Sequence, residues 1–353
     1  MHRCVRAKMA RVMTGTADTR PPAGRQEDEG RLRVRVLVIA LVGQFVLAAV
    51  VLYFAATGWP MFGGPPSGGK AAAVGSVPAR FLPGAPGDGV PTPRTDRFDA
   101  ARAYALVRRQ VGYGLRPAGS PALRRLAADL RRRMPGARYE PVGGHPGLRN
   151  VVAVVPGRRP AIVVGAHYDT VDAPPGFVGA NDGAAGTAIV AELLRALRAS
   201  RAPVNAREVR FVLFDGEEAP SGSASFLEGG LRGSRAYVDA HRREVRSMVL
   251  LDYVGARGLR LPREGTSDPA LWARLRSAAR RTGTLAAFPA AAGELIYDDH
   301  TPFVDAQIPA IDLIDWDYPW QHVPEDALDK ISRRSLDVTG ETVLALLLAE
   351  RRR

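Results

Sequence analysis

Six histidines and one cysteine among 353 residues narrow the places where chemistry can occur. Cys4 has no partner in the chain, so an intrachain disulfide, thiol catalysis and cysteine-bound zinc all drop out as main functions. What remains is a series of histidines and acids, most of them directly after short apolar runs: His167 and Asp169, Asp182, Glu217 and Glu218, Asp252, Asp298 and His322. One such residue after a strand is ordinary, because polar side chains end strands and cap helices. Several, each after a different run, point to one shared site. Zinc takes imidazole nitrogen and carboxylate oxygen in a tetrahedral site that leaves one position for water, and Asp182, Glu218 and His322 supply three such donors. Consecutive residues leaving a strand diverge, so Glu217 can hold the proton of a reacting group while Glu218 binds metal.

The elements that must position these residues can be read from the spacing of apolar side chains. Short β-branched runs at 150–155, 161–166, 209–214, 247–251 and 308–314 predict strands buried on both faces. Helical spacing appears at 98–110 and 121–134, then at 183–198, 233–241 and 269–282 between the runs, and at 332–350. Ser120 followed by Pro121 has the form of an N-cap and a first helical position. This alternation predicts an α/β fold, a twisted, mostly parallel (mixed) central sheet flanked by helices on both faces. In such sheets ligands collect beyond the carboxyl ends of the strands, which is where the acids and histidines fall.

Residues 36–56 form 21 positions with one Gln and no charge, enough to span a bilayer as a transmembrane signal anchor. Nine Lys or Arg against four acids precede it, which puts residues 1–35 in the cytoplasm and the remainder outside. Residues 57–97 are dominated by Gly, Pro, Ala and Ser and read as a linker, leaving 98–353 as the catalytic domain. The net charge of +13 raises nucleic acid as a partner, but 46 of the 49 basic residues are Arg, scattered along helices without interleaved aromatics. No nucleic-acid groove is expected.

Six segments in order, GAHYDT (165–170), GANDGAAG (179–186), FDGEEA (214–219), GSRAYV (233–238), LLDYVG (250–255) and DDHTPF (298–303), resemble the zinc aminopeptidase and glutaminyl cyclase superfamily from about Arg116 onward. The resemblance implies an enzyme acting on peptide or protein N-termini, and two chemistries share its residues. An aminopeptidase would hold two zinc ions, one on His167, Asp182 and Asp252 and the other on Asp182, Glu218 and His322, with Glu217 activating water. A glutaminyl-peptide cyclotransferase would hold one zinc on Asp182, Glu218 and His322. Glu217 would then shuttle the proton, and Asp252 would share one with Asp298. The HYD context makes His167 a ligand or a near neighbour of one, with Asp169 as its orienting partner. FVGA, FDGEEA and DDH lean toward the cyclase branch, whereas GANDGAAG resembles the peptidases. Asp312 stands where animal cyclases are expected to carry a histidine, and the segment 315–322, one residue shorter than theirs, contains Trp320 as a candidate wall of the substrate pocket. The reading adopted is cyclisation of N-terminal Gln, with the aminopeptidase as the alternative. A reading from another class, an inactive peptide-binding domain on the same fold, leaves the complete donor set and its base without a purpose. His300 is expected to support a loop, and Asp215 to bond backbone in a turn.

Overall fold

The computed structural model describes residues 77–81 and 89–353. A six-stranded mixed sheet runs through them: β1 (Arg138–Pro141), β2 (Arg149–Val155), β3 (Arg158–His167), β4 (Arg207–Phe214), β5 (Val245–Asp252) and β6 (Ala310–Ile314), in spatial order β1-β2-β4-β3-β5-β6. The pairs β4/β3, β3/β5 and β5/β6 are parallel, and β1/β2 and β2/β4 are antiparallel. The mixed sheet expected from the sequence is therefore present. It has one strand more than the five apolar runs. β1, with the sequence RYEP, lies at the edge with no residue fully buried, so it carries no apolar run to announce it.

Side-chain alternation divides the core between the two faces of the sheet. Val151, Ala153, Ile162, Val164, Phe211, Leu213, Val249 and Leu251 face a larger core, while Val152, Val163, Val212, Phe214, Met248 and Leu250 face a smaller one. The larger core is completed by α1 (Ala100–Val111), α2 (Pro121–Arg133), α3 (Gly186–Ala199), α5 (Pro269–Thr282) and α7 (Arg333–Glu350). The smaller is completed by α4 (Arg232–His241), with Tyr237 and Val238, and α6 (Thr301–Asp305), with Phe303. Ser120 caps α2, accepting from Leu123 N–H at 3.1 Å, and Asp268 caps α5 in the same way.

α3 begins at Gly186, three residues later than the sequence spacing implies. Before it, Ala180–Ala185 forms a distorted turn in which Asp182 and Gly183 leave helical geometry. Gly183 has φ +78, and a Cβ there would lie 3.0 Å from the His167 ring, so this turn requires glycine. The turn aims Asp182 across the sheet ends instead of along a helix.

The expected anchor at residues 36–56 lies outside the described residues. Among the described residues no helix is long and apolar enough to cross a membrane. Parts of the stretch with linker composition are packed. Val90 joins the larger core, Arg94 N–H donates to the Thr282 carbonyl at 2.7 Å, and Phe81 is buried in a third cluster with Tyr253, Ile296, Ile314 and Tyr318. Individual side chains there find partners that the Gly and Pro content conceals.

Candidate active site

The carboxyl ends of four adjacent parallel strands deliver the site. His167 is the last residue of β3, and Asp252 the last of β5. Glu217 and Glu218 follow β4, and His322 sits on the loop after β6. Asp182 comes from the turn before α3, between the two imidazoles. His167 Nε2 lies 3.2 Å from Asp182 Oδ1 and 3.3 Å from Asp252 Oδ1. On the other side His322 Nε2 lies 3.3 Å from Asp182 Oδ2 and 3.5 Å from Glu218 Oε1. Glu217 Oε2 is 3.9 Å from His167 Nδ1. The structure thus brings together His167, Asp182, Glu217, Glu218 and Asp252, with His322 closing the open side.

Asp169 orders what surrounds it. Its two oxygens accept from the N–H groups of Glu217 at 3.3 Å and Glu218 at 3.2 Å, and Oδ1 lies 3.7 Å from His167 Nδ1. The expected partner of His167 therefore also fixes the backbone that carries both glutamates. Asp298 is buried nearby, with Oδ1 accepting from Asp299 N–H and Oδ2 lacking a hydrogen-bond partner. Trp320 is half-buried among aromatics, edge-on to Phe81 and Tyr318, with the Lys330 ammonium 4.9 Å from its ring centroid. Its neighbours are thus rings and a cation, and none of them is a candidate ligand.

Several residues with structural work at this site escaped the sequence reading. Tyr253, with left-handed backbone at φ 46, donates its hydroxyl to Asp182 Oδ2 at 2.9 Å. Asp326 accepts from the N–H groups of Asn181 and Asp182 and from the Tyr318 hydroxyl at 2.6 Å, pinning the turn. Arg116, fully buried, donates to the carbonyls of Tyr168, Val178 and Gly179 beneath it. The sequence separations, 144 residues between Asp182 and Asp326, leave no local signal to read. Of the remaining polar residues, Asp215 accepts from Arg149 N–H at 2.8 Å, as a turn residue should. His300 is buried against Thr266 and Glu264 in a supporting role. Asp315 is a buried ion-pair partner of Arg80.

So many acids in so little water create a demand for positive charge. Burial, and then the neighbouring Glu218, push Glu217 well above the usual carboxylate range. Burial raises Asp252 to about 6, with His167 opposing, and burial followed by the Asp252 charge raises Asp298 to about 7. Burial works against a cationic imidazole at both histidines, yet the carboxylates prevail: His322 is lifted to about 11 by Glu218 and Asp182, and His167 well above its ordinary value by Asp169, Asp182 and Asp252. A divalent cation answers the same demand by replacing those imidazolium protons.

The donor set fits such an ion. Ligand atoms of His167, Asp182 and Glu218 lie within 4.8 Å of one another. Bonds of about 2.0–2.1 Å in a tetrahedral zinc site place neighbouring donors about 3.3 Å apart, and the four Nε2–carboxylate spacings above run from 3.2 to 3.5 Å. Asp182 offers one oxygen to each imidazole, so two overlapping donor sets share it.

Comparison with known proteins identifies relatives of the chain. Over 205 residues the chain is 33% identical to the aminopeptidase YwaD of Bacillus subtilis, covering 53% of this chain and 41% of that one. It is 30% identical over 233 residues to the mouse glutaminyl-peptide cyclotransferase-like protein, covering 57% of this chain and 60% of that one. The chain thus spans less than two thirds of the length of these curated relatives. The crystal structure of an Acidobacteriales bacterium glutaminyl cyclase superposes with a TM-score of 0.64 at 29% identity, covering 73% of this chain and 96% of that one. Residues 150–347, more than half of the chain and carrying every candidate site residue, match Peptidase family M28, and the chain belongs to that family.

Proposed function

We propose that the chain is a zinc-dependent enzyme of peptide amino termini, and that its reaction is cyclisation of N-terminal glutamine to pyroglutamate with release of ammonia. Asp298 carries this reading. It is a buried carboxyl whose Oδ2 lacks a hydrogen-bond partner, and burial followed by the Asp252 charge raises it to about 7, so a proton shared between the two acids would relieve both. An Asp252 sharing that proton would be a poor second-metal ligand, which sets this reading against a hydrolase on two zinc ions. The likeness to the Acidobacteriales glutaminyl cyclase, over nearly all of that chain, supports the same branch.

In this reading Asp182, Glu218 and His322 would hold one zinc, which would supply Lewis acidity toward the side-chain amide carbonyl of the substrate glutamine. Glu217 accepts a proton from the substrate α-amine as its nitrogen bonds to the amide carbon. Its raised affinity for protons suits the accepting half of the step; the proton then passes to the departing nitrogen, which leaves as ammonia when the carbon–nitrogen bond breaks. The Asp252–Asp298 pair holds the leaving nitrogen's side of the site, and Trp320 lines the approach.

One observation favours a second reading. His167 Nε2 faces Asp182 and Asp252 at 3.2 and 3.3 Å, a complete further donor set, as an aminopeptidase with two zinc ions and a Glu217-activated water requires. Incubation of the zinc-loaded chain with a glutamine-initiated and a leucine-initiated peptide, followed by mass, separates the two. Loss of 17 mass units (roughly, one ammonia) from the first alone is expected; release of the first residue from either overturns cyclisation in favour of hydrolysis.

A further inference from the structure

Residues 77–81 lie within a stretch of linker composition, yet two of their side chains are engaged as core residues are. Arg80 forks onto Asp315, Nη1 to Oδ2 at 2.7 Å and Nη2 to Oδ1 at 2.8 Å, and Nη1 also donates to the Gly258 carbonyl at 2.7 Å. Asp315 is 1% exposed and accepts further from Arg260 N–H at 3.0 Å. A carboxylate so buried is left uncompensated if the guanidinium goes. Phe81 is buried with its ring edge-on to Tyr318 and Trp320, centroids 6.1 and 5.9 Å away, and the Arg80 guanidinium lies 4.1 Å from its centroid.

After position 300 their ion-pair and ring partners, Asp315, Asp317, Tyr318 and Trp320, belong to the segment 315–322 that ends in His322. From there two short routes lead to Asp182. The Tyr318 hydroxyl donates to Asp326, which accepts from Asp182 N–H at 3.1 Å. The Tyr318 ring also lies 5.6 Å from that of Tyr253, whose hydroxyl donates to the Asp182 carboxylate. The loop itself has few backbone bonds of its own, among them Tyr318 N–H to the Asp315 carbonyl at 2.9 Å. Its place is set mainly by side chains, and those at its start come from residues 80 and 81.

We propose that Arg80 and Phe81 are positioning residues of the active site: clamped on Asp315, Tyr318 and Trp320, they fix the start of the 315–322 loop so that the Trp320 ring meets the substrate, while His322 stays held by Asp182 and Glu218. The proposal rests on the reading that this loop faces the peptide. A catalytic domain cut to begin at residue 98 lacks both residues and would carry this defect.

The test uses Arg80→Ala, Phe81→Ala and Arg80→Lys in the full chain, with amide hydrogen exchange over 316–322, zinc content and steady-state kinetics on the glutamine-initiated peptide. Faster exchange confined to that loop is expected in both alanine variants, with zinc per chain unchanged. KM should rise about tenfold while kcat falls less than about threefold, the signature of misplaced substrate contacts. Arg80→Lys, which keeps the charge without the fork, should fall between wild type and Arg80→Ala. If Arg80 acts through Asp315, adding Arg80→Ala to Asp315→Ala should cost little more than Asp315→Ala alone. Unchanged exchange in the loop overturns the proposal; so does faster exchange with KM and kcat as in wild type, or loss of zinc together with the melting transition in all three variants. Should the wild-type chain turn over neither the glutamine- nor the leucine-initiated peptide, the substrate reading has failed, and the exchange result alone decides the positioning.

Discussion

His167 ends a strand that is hydrogen-bonded on both sides, and 2% of its side chain is exposed; His322 comes from an irregular loop and has 36% exposed. Both imidazoles face Asp182, from opposite sides. The closed side is held by sheet register, with His167 paired to Phe214, and by Asp169, which locks the glutamate loop through two backbone N–H groups. The open side is held by side chains from distant segments: Arg80 and Phe81, Asp326, and Phe177, whose ring stands edge-on to His322 at 6.2 Å. His322 itself has φ 53, a left-handed backbone that costs a non-glycine residue about 1 kcal/mol. That cost persists only where the surroundings over-determine the conformation. A floor held by sheet register and a rim held by distant side chains thus meet at the same carboxylate.

Glu217 is the group through which that division can be tested most severely, because its carboxylate belongs to neither donor set. Glu217→Gln keeps the volume and the backbone bond to Asp169 and removes only the proton-accepting oxygen. Turnover should fall by on the order of 10²–10⁴, the range for general acid–base catalysis, while zinc content and melting temperature stay near wild type. Activity within threefold of wild type, roughly no loss on that scale, would remove Glu217 from the mechanism.

The two histidines themselves give the next largest effect and bear directly on how many ions the site holds. Under the one-zinc reading His322→Ala should weaken zinc by more than the 10–100-fold, approximately, that outer partners of a metal are worth, whereas His167→Ala should stay within about that range. Metal analysis of the dialysed variants decides it. One zinc in the wild type, retained by His167→Ala and lost by His322→Ala, matches cyclisation. Two zincs falling to one in His167→Ala would make the closed side a metal site in its own right and favour the aminopeptidase.

The same contrast explains what could be read from the sequence. The closed side was legible because its logic is local: β-branched runs buried on both faces, each followed by an acid or histidine, give β3 to β6 and hence His167, Glu217, Glu218 and Asp252 in order. Ser120 and Pro121 announced α2, and the spacing of Asp182 located it near the start of α3. The open side depends on contacts between residues far apart in the chain and on left-handed backbone at Tyr253 and His322, neither of which has a composition signal. Arg80 and Phe81 were concealed by the Gly and Pro around them. Tyr253 stood within LLDYVG, but nothing in the spacing of that segment aims its hydroxyl at Asp182.

Behind the closed side, Glu264 offers the smallest of these effects, and one that leaves the candidate metal ligands untouched. Its carboxylate accepts from Thr266 N–H and hydroxyl, the Ser267 hydroxyl and Ile296 N–H, with His300 Nε2 at 3.2 Å, and so ties the loop before Asp298 to the core. Burial pushes this group up, but the His300 interaction and the backbone donors outweigh burial and bring it down to about 2 from an ordinary 4.5. A carboxyl depressed in the folded state binds fewer protons there than in the unfolded chain, so stability rises with pH across that interval. Its contribution is complete above about 4.5 and is lost as pH falls toward about 2. Acids raised by burial, such as Asp298, act in the opposite sense, so only a difference between variants isolates Glu264. Melting temperatures of wild type and Glu264→Gln should therefore differ most near neutrality and converge as the pH approaches 3, roughly midway through the interval. A gap independent of pH would mean that Glu264 holds the loop by shape and hydrogen-bond count alone, with its charge contributing nothing.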